Sequence, residues 1–490
     1  MNVTKRILPG TLLLLASLTA GAQVAPDNLG LPPADPAITK AIATIDPAKV
    51  KADIAKLVSF GNRSTLSSME TDLPPGTGIN AAADWLFAEY SRISADCGGC
   101  LEVKRDDYIE PAKPGSRILK DTRLQNIYAV LKGTDPAQAN RRVLVTGHYD
   151  SRNSDNFNTH NPAPGANDDA SGVAVSLETA RVLSKLKFPS SIVFAAVAGE
   201  EQGLNGSRHL AKLAKSEGWD LEEVLNNDIV GGDTTPDQKG QKKYFVRVFS
   251  EGVPGPATLE QLRTIQTLGA ESDSPSRELA RAIAEIDHTY FRIDTTLLHF
   301  DARHPLVFPS GTKFTPPFQT QLIFRRDRFL RGGDHTSFNA EGFSAVRFTE
   351  WQENYDHQHQ TPRVENGTQF GDFLQYVDFE YVSNVARLNA AALATFASAP
   401  GQPRDVRVLN KTLDNNTELT WQPPAGAPAG TTYEILYRLT DEPTWTSFQS
   451  AGTALTITLP ISKDNVVFGV RSSDPAGHKS PAVYPMPLGR

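Results

Sequence analysis

Five short segments carry residues whose types could do hydrolytic chemistry together. Gly147-His148-Tyr149-Asp150-Ser151 offers an imidazole with a carboxylate two residues on, suited to ligate a metal and to orient the ligand from behind. Taken alone, a loop His followed by Asp is more often a surface hydrogen-bonded pair. Gly165-Ala166-Asn167-Asp168-Asp169-Ala170 places two acids where a helix begins, so one could cap the helix while the other binds metal. Ala198-Gly199-Glu200-Glu201-Gln202-Gly203 supplies adjacent carboxylates able to divide the work of metal ligand and general base. Asn226-Asn227-Asp228-Ile229-Val230 carries one acid into an apolar run, where burial is costly unless a partner or a metal is present. Tyr355-Asp356-His357-Gln358-His359-Gln360 adds two more imidazoles. Two metals held by His and carboxylate ligands, with a water between them, suit this inventory.

The elements that must position these groups follow from periodicity. Short apolar runs at Ile127–Leu131, Arg142–Thr146, Ile192–Val197, Asp228–Val230, Phe245–Phe249 and Ala345–Phe348 predict strands. Amphipathic stretches at Ser171–Leu186, Ser207–Ser216, Ser276–Asp287 and Gly371–Phe396 predict helices. Val50, Ile54, Leu57 and Val58, and then Ala81, Trp85, Leu86 and Tyr90, mark two earlier helices. Alternation of this kind predicts an α/β domain, a mainly parallel mixed sheet sandwiched by helices, with chemistry at the strand ends. The first four segments fall at such ends. The Pro- and Arg-rich stretch at about 254–331 reads as an insertion that could wall a substrate pocket.

Helical periodicity stops at Ala399-Pro400-Gly401-Gln402-Pro403. Beyond it, short β runs separated by Pro, Gly and Asn turns predict an all-β sandwich over 403–490. Trp421, the strand Tyr433–Arg438 and Val470-Arg471-Ser472-Ser473-Asp474 make that segment resemble a fibronectin type III domain, a fold that gives no function by itself.

Lys5-Arg6, the apolar run Leu12–Leu18 and Ala20-Gly21-Ala22 have the three regions of a signal peptide over 1–22, followed by a flexible leader over 23–35. The apolar run is shorter than the roughly 20 residues needed to span a bilayer, and no later run reaches that length. A secreted or periplasmic protein is expected, without an integral membrane segment. Loss of Lys5 and Arg6 with the leader moves the formal charge from -7 to -9, which argues against nucleic acid or anionic lipid as partner. Cys97 and Cys100 are the two cysteines, and in an exported protein a local disulfide is the leading expectation, with a redox dithiol as alternative.

In this order the five segments resemble the secreted co-catalytic zinc aminopeptidases of metallopeptidase clan MH, over roughly residues 40–398. The resemblance implies a zinc-exopeptidase fold and two Zn2+ per chain. His148 and Asp228 would hold one ion, Glu201 and His359 the other, and Asp168 would bridge them. Glu200 would be the general base, and Asp150 the carboxylate behind the His148 ligand. The implied partners are peptides or proteins with a free N-terminus. The last segment departs from the family pattern, because Arg363 stands where an Asp is common; His357, and His335 in Asp334-His335, remain alternatives to His359. Carboxypeptidases and a single-zinc glutaminyl cyclase share the scaffold, so the substrate stays open. A binding protein with a degenerate catalytic domain, tethered to a surface or polymer through the C-terminal sandwich, is the reading from a different class, and it predicts missing ligands.

Overall fold

The apolar runs become the middle of one sheet. The computed structural model describes residues 34–235, 240–291, 299–301, 304–307, 317–411 and 414–488. The expected signal peptide and most of the expected leader lie outside the described residues, as do parts of the 254–331 stretch. Along the chain come β1 (Leu101–Glu110), β2 (Thr122–Leu131), β3 (Arg141–His148), β4 (Ser191–Val197), β5 (Asp220–Asn227) and β6 (Phe245–Ser250). A separate ribbon follows, β7 (His299–Asp301) paired with β8 (His304–Val307), and then β9 (Gln319–Ile323) and β10 (Ala345–Glu350). Eight of these form a mixed sheet in the order β1-β2-β4-β3-β5-β10-β6-β9. Its centre, β4-β3-β5-β10, is parallel, while β1, β2 and the β10–β6 pair run antiparallel.

Nine helices among the described residues cover the sheet or pack beside it: α1 (Pro36–Ile42), α2 (Pro47–Val58), α3 (Gly78–Asp96), α4 (Ala170–Leu183), α5 (Asn205–Ser216), α6 (Leu259–Leu268), α7 (Pro275–Tyr290), α8 (His335–Ala340) and α9 (Phe379–Ser398). Val143, Val145, Ile192 and Phe194 face a core shared with α2, α4 and α9, while Leu144, Val193, Ala195 and Val197 face α5 and α8. Burial on both faces is why these strands read as unbroken apolar runs. Every residue of α4 except Arg181 is buried. Glycine allows that close approach: a Cβ on Gly147 would lie 2.5 Å from the Gly172 carbonyl carbon, and one on Gly172 would lie 2.2 Å from the Asn227 oxygen.

Three expectations need correction. The strand expected at Asp228–Val230 is β5, Asp220–Asn227, and Asp228 follows its end. Its acidic start, Asp220-Leu221-Glu222-Glu223, hides the strand from a hydrophobic reading, although Glu223 is buried. The last helix begins at Phe379 and not at Gly371, because the Asp378 side chain accepts from the N–H groups of Glu380 and Tyr381 and so caps it there. Asp35 is no part of a free leader: it caps α1 and lies 3.0 Å from His478 Nε2.

After the hairpin β11 (Arg363–Glu365) and β12 (Thr368–Phe370) and the long α9, the C-terminal part is all β. It comprises β13 (Arg404–Leu409), β14 (Thr417–Gln422), β15 (Thr432–Leu439), β16 (Ser447–Gly452), β17 (Thr456–Leu459), β18 (Val466–Ser473) and β19 (Met486–Pro487). Two sheets, β17-β14-β13-β19 and β16-β15-β18, enclose Val406, Leu419, Trp421, Tyr433, Ile435 and Val470. Polar contacts dock this unit on α7: Trp445 donates to Glu278 at 3.0 Å, Arg471 pairs with Glu285, and Arg438 pairs with Asp273 just before the helix. Cys97 and Cys100 form a disulfide between α3 and β1.

Candidate metal centre

His148 ends β3, Glu200 and Glu201 follow β4, and Asp228 follows β5, so three parallel strands deliver side chains to one rim of the sheet. Asp168 reaches the same point from the turn before α4. His148 Nε2 lies 3.1 Å from Asp168 Oδ1 and 3.9 Å from Asp228 Oδ1. On the other side of Asp168, His359 Nε2 lies 2.9 Å from Oδ2 and 3.1 Å from Glu201 Oε1. Two ligand triads therefore share one carboxylate, His148/Asp168/Asp228 and Asp168/Glu201/His359, with the ligating atoms of each within 4.8 Å of one another. His148, Asp168, Glu201 and Asp228 are all buried, and His359 is partly exposed.

The alternatives to His359 are engaged elsewhere. His357 Nδ1 sits 2.6 Å from Asp233 and its ring stacks on Tyr376. His335 is buried against the Arg326 carbonyl at 2.8 Å, and burial pushes it down to about 4. The two adjacent aspartates also divide. Asp169 caps α4 through Gly172 N–H and accepts from the N–H groups of His148 and Ile229, tying β3 to the segment after β5, while Asp168 faces the imidazoles.

Positioning groups surround the triads. The Asp150 carboxylate is 3.4 Å from His148 Nδ1 and accepts from the N–H groups of Glu200 (3.3 Å) and Glu201 (3.2 Å) and from the Thr65 hydroxyl (3.1 Å). One buried acid thus orients a histidine and the loop bearing both glutamates. Asp372 accepts from Asn167 N–H and from Asp168 N–H, the latter at 2.7 Å, and Gln358 donates to Asp168 Oδ2 at 2.9 Å. Arg347 pairs with Asp228 at 2.8 Å, and Arg152 pairs with Glu201 at 2.9 Å. No motif in the sequence points to Thr65, Arg152, Arg347 or Asp372, since each is an ordinary polar residue far along the chain from its partner.

The electrostatics match a cation site. Burial opposes protonation of both imidazoles, but Asp150 and Asp168 raise His148 well above its ordinary value, and Glu201 and Asp168 raise His359 to about 10. Burial pushes Glu200 well above the usual carboxylate range; His148 opposes this, while Asp228 and Glu201 add to it. Glu201 Oε1 is buried with no well-formed hydrogen bond although His359 Nε2 is close. Two acceptors converging on one point suit a metal ion between them. Each triad offers one nitrogen and two oxygens, the donor set of a zinc site that keeps a position open for chemistry.

Residues 126–291 match the model of peptidase family M28. A probable zinc metalloprotease of Leptosphaeria maculans is 41% identical over 447 residues, covering 91% of this chain and 96% of its own. One from Pyricularia oryzae is 42% identical over 464 residues, covering 93% and 85%. Among solved structures, the LapA aminopeptidase of Legionella pneumophila gives a TM-score of 0.47 at 17% identity, covering 74% of each chain. Porphyromonas gingivalis glutaminyl cyclase gives 0.43 at 18% identity, covering 71% of this chain and 98% of its own. Both neighbours are equally remote and do not choose between activities. The matched relatives span nearly the whole chain, and the chain belongs to peptidase family M28, the zinc metallopeptidases.

Proposed function

We propose that the chain is an exported aminopeptidase that removes N-terminal residues from peptides at a centre of two Zn2+ ions. The observation that carries this reading is the pair of triads meeting on Asp168, with Glu200 beside them. His148, Asp168 and Asp228 would hold one ion, and Asp168, Glu201 and His359 the other. A zinc pair there supplies Lewis acidity to the scissile carbonyl and makes water acidic enough to attack near neutral pH. Glu200, free of metal and raised in pKa by burial, takes the proton from the attacking water and returns it to the departing amine. Asp150 holds the Glu200–Glu201 backbone in the position this transfer needs.

Export to the periplasm or medium rests on the character of residues 1–22, and no described helix is long and apolar enough to cross a membrane. The C-terminal unit is read as a fibronectin type III domain from its two sheets and its buried Trp421, and it could tether the enzyme to a surface or polymer.

Glu200→Gln should lower kcat by about 10²- to 10⁴-fold with zinc content unchanged. Loss of zinc in that variant would mean that Glu200 is a ligand. A zinc count with a substrate panel tests the rest: an aminopeptidase releases chromophore from free aminoacyl anilides and not from N-blocked ones, a carboxypeptidase needs a free C-terminus, and a cyclase keeps one ion.

A further inference from the structure

The cleft over the triads encloses about 620 Å³, and its lining includes Arg117, Arg152, Arg331, Tyr355, Glu200 and Glu201. Among the described residues the two glutamates are the only acids in that lining, and on the reading above neither is available to a substrate, one holding metal and the other carrying the proton. Arg152 is held by Glu201, but Arg117 and Arg331 are less committed. Arg117 is exposed, its Nη1 donates to the Glu201 carbonyl, and it makes no ion pair among the described residues. Arg331 is exposed and shares the single carboxylate of Glu353, at 2.8 Å, with Arg328 at 2.8 Å and Arg247 at 3.3 Å. Behind them Asp327 pairs with Arg328 at 3.0 Å and with Arg347 at 3.4 Å, and Arg347 reaches Asp228. Four guanidiniums thus face three carboxylates, and one of the three, Asp228, belongs to the metal triad. The excess positive charge reaches the surface at Arg331, in the wall of the cleft.

We propose that Arg331 and Arg117 form a carboxylate-recognition subsite at the mouth of this cleft, so that the enzyme selects substrates bearing a carboxylate next to the scissile bond. The proposal rests on the peptidase reading of the same site. A guanidinium presents a planar fork of donors that fits a carboxylate, and a cleft of one sign concentrates ligands of the other. A lysyl or arginyl side chain entering here would meet like charge. The carboxylate can arrive as the side chain of an N-terminal Glu or Asp, which suits an aminopeptidase, or as a free C-terminus.

The test uses the zinc-loaded full chain on the p-nitroanilides of Glu, Asp, Leu and Lys, and on an N-acetylated dipeptide with a free C-terminus, at low and high salt. Glu-anilide should exceed Leu-anilide in kcat/KM by about tenfold and Lys-anilide by about a hundredfold, chiefly through KM, with the preference shrinking at high salt. Arg331→Gln, Arg117→Gln and the double variant should bring the Glu/Leu ratio toward one, and Arg331→Lys should keep part of it. Zinc content and melting temperature of each variant separate a lost subsite from a damaged fold. Wild-type enzyme that turns over Leu- or Lys-anilide as well as Glu-anilide overturns the subsite and leaves the aminopeptidase reading standing, and an unchanged ratio in the double variant overturns the assignment to these arginines. Cleavage of the N-acetylated dipeptide alone, weakened in the same variants, supports the subsite with a C-terminal carboxylate and overturns the aminopeptidase reading. No turnover of any substrate by the zinc-loaded chain overturns both.

Discussion

The two halves of the ligand cluster share Asp168 but are held in different ways. His148 is the last residue of β3, paired with Val197 of β4, and Asp228 directly follows the neighbouring parallel strand β5, its N–H donating to the Phe348 carbonyl of β10. Glu201 also follows a strand, but His359 sits on the irregular stretch between β10 and β11, in a left-handed backbone conformation (φ 60°). The His148 side chain is 1% exposed and that of His359 is 22% exposed. Behind His148, Nδ1 faces acceptors, the Asp150 carboxylate at 3.4 Å and its carbonyl at 3.2 Å, which keep the proton on Nδ1 and leave the Nε2 lone pair for the ligand side. Behind His359, Nδ1 faces Arg152 Nη2 at 2.5 Å, a group that can only donate. That neighbour favours the opposite tautomer and adds a positive charge beside the second triad. The first half is thus preorganised for a cation by strand ends and acceptors, and the second is held by a loop and opposed by a guanidinium.

The comparison can be broken at its shared point first. Asp168→Ala should cost both ions and bring activity to background, as zinc by mass spectrometry and anilide turnover would show; a variant that kept one ion at full occupancy would mean the halves are independent. His359→Ala should keep one zinc and lose most turnover, and in the unaltered chain graded chelator dialysis should remove one zinc before the other. Simultaneous release of both would contradict the asymmetry. Asp150→Ala touches both halves, through His148 and through the glutamate backbone, and should weaken zinc binding by about 10- to 100-fold. The smallest effect is expected at Arg152: Arg152→Met should tighten the second ion by about 3- to 10-fold, because a like charge is removed. Weaker binding in that variant would show that Arg152 serves chiefly to orient Glu201.

Much of the centre was legible because strand ends are where an α/β sheet exposes side chains, so His148, Glu200 and Glu201 could be placed from the apolar runs before them, whereas Asp228 was read as opening a strand that in fact ends just before it. The division of Asp168 and Asp169 was anticipated in kind, while the assignment depended on which carboxylate met the helix amides. β1 went unseen because its residues, Leu101-Glu102-Val103-Lys104-Arg105-Asp106-Asp107, alternate burial with charge at the sheet's edge. The strand before Asp228 was missed because the acids of Asp220-Leu221-Glu222-Glu223 interrupt its apolar pattern. Of the 254–331 stretch, expected to wall the pocket, Arg331 at its far end lines the cleft, whereas α6 borders a different cavity beside the C-terminal unit.

By itself the sequence determined which residue types could ligate and, for His148, Glu200 and Glu201, at which strand ends they would emerge, because apolar runs and caps are local properties of the chain. The family resemblance named His359 with His357 and His335 as alternatives, tertiary structure brought His359 alone of the three to Asp168 and Glu201, and only tertiary structure put Arg152, Arg347, Asp372 and Thr65 behind the ligands. Those assignments depend on distances of a few ångströms between segments far apart along the chain, and nothing local encodes such distances.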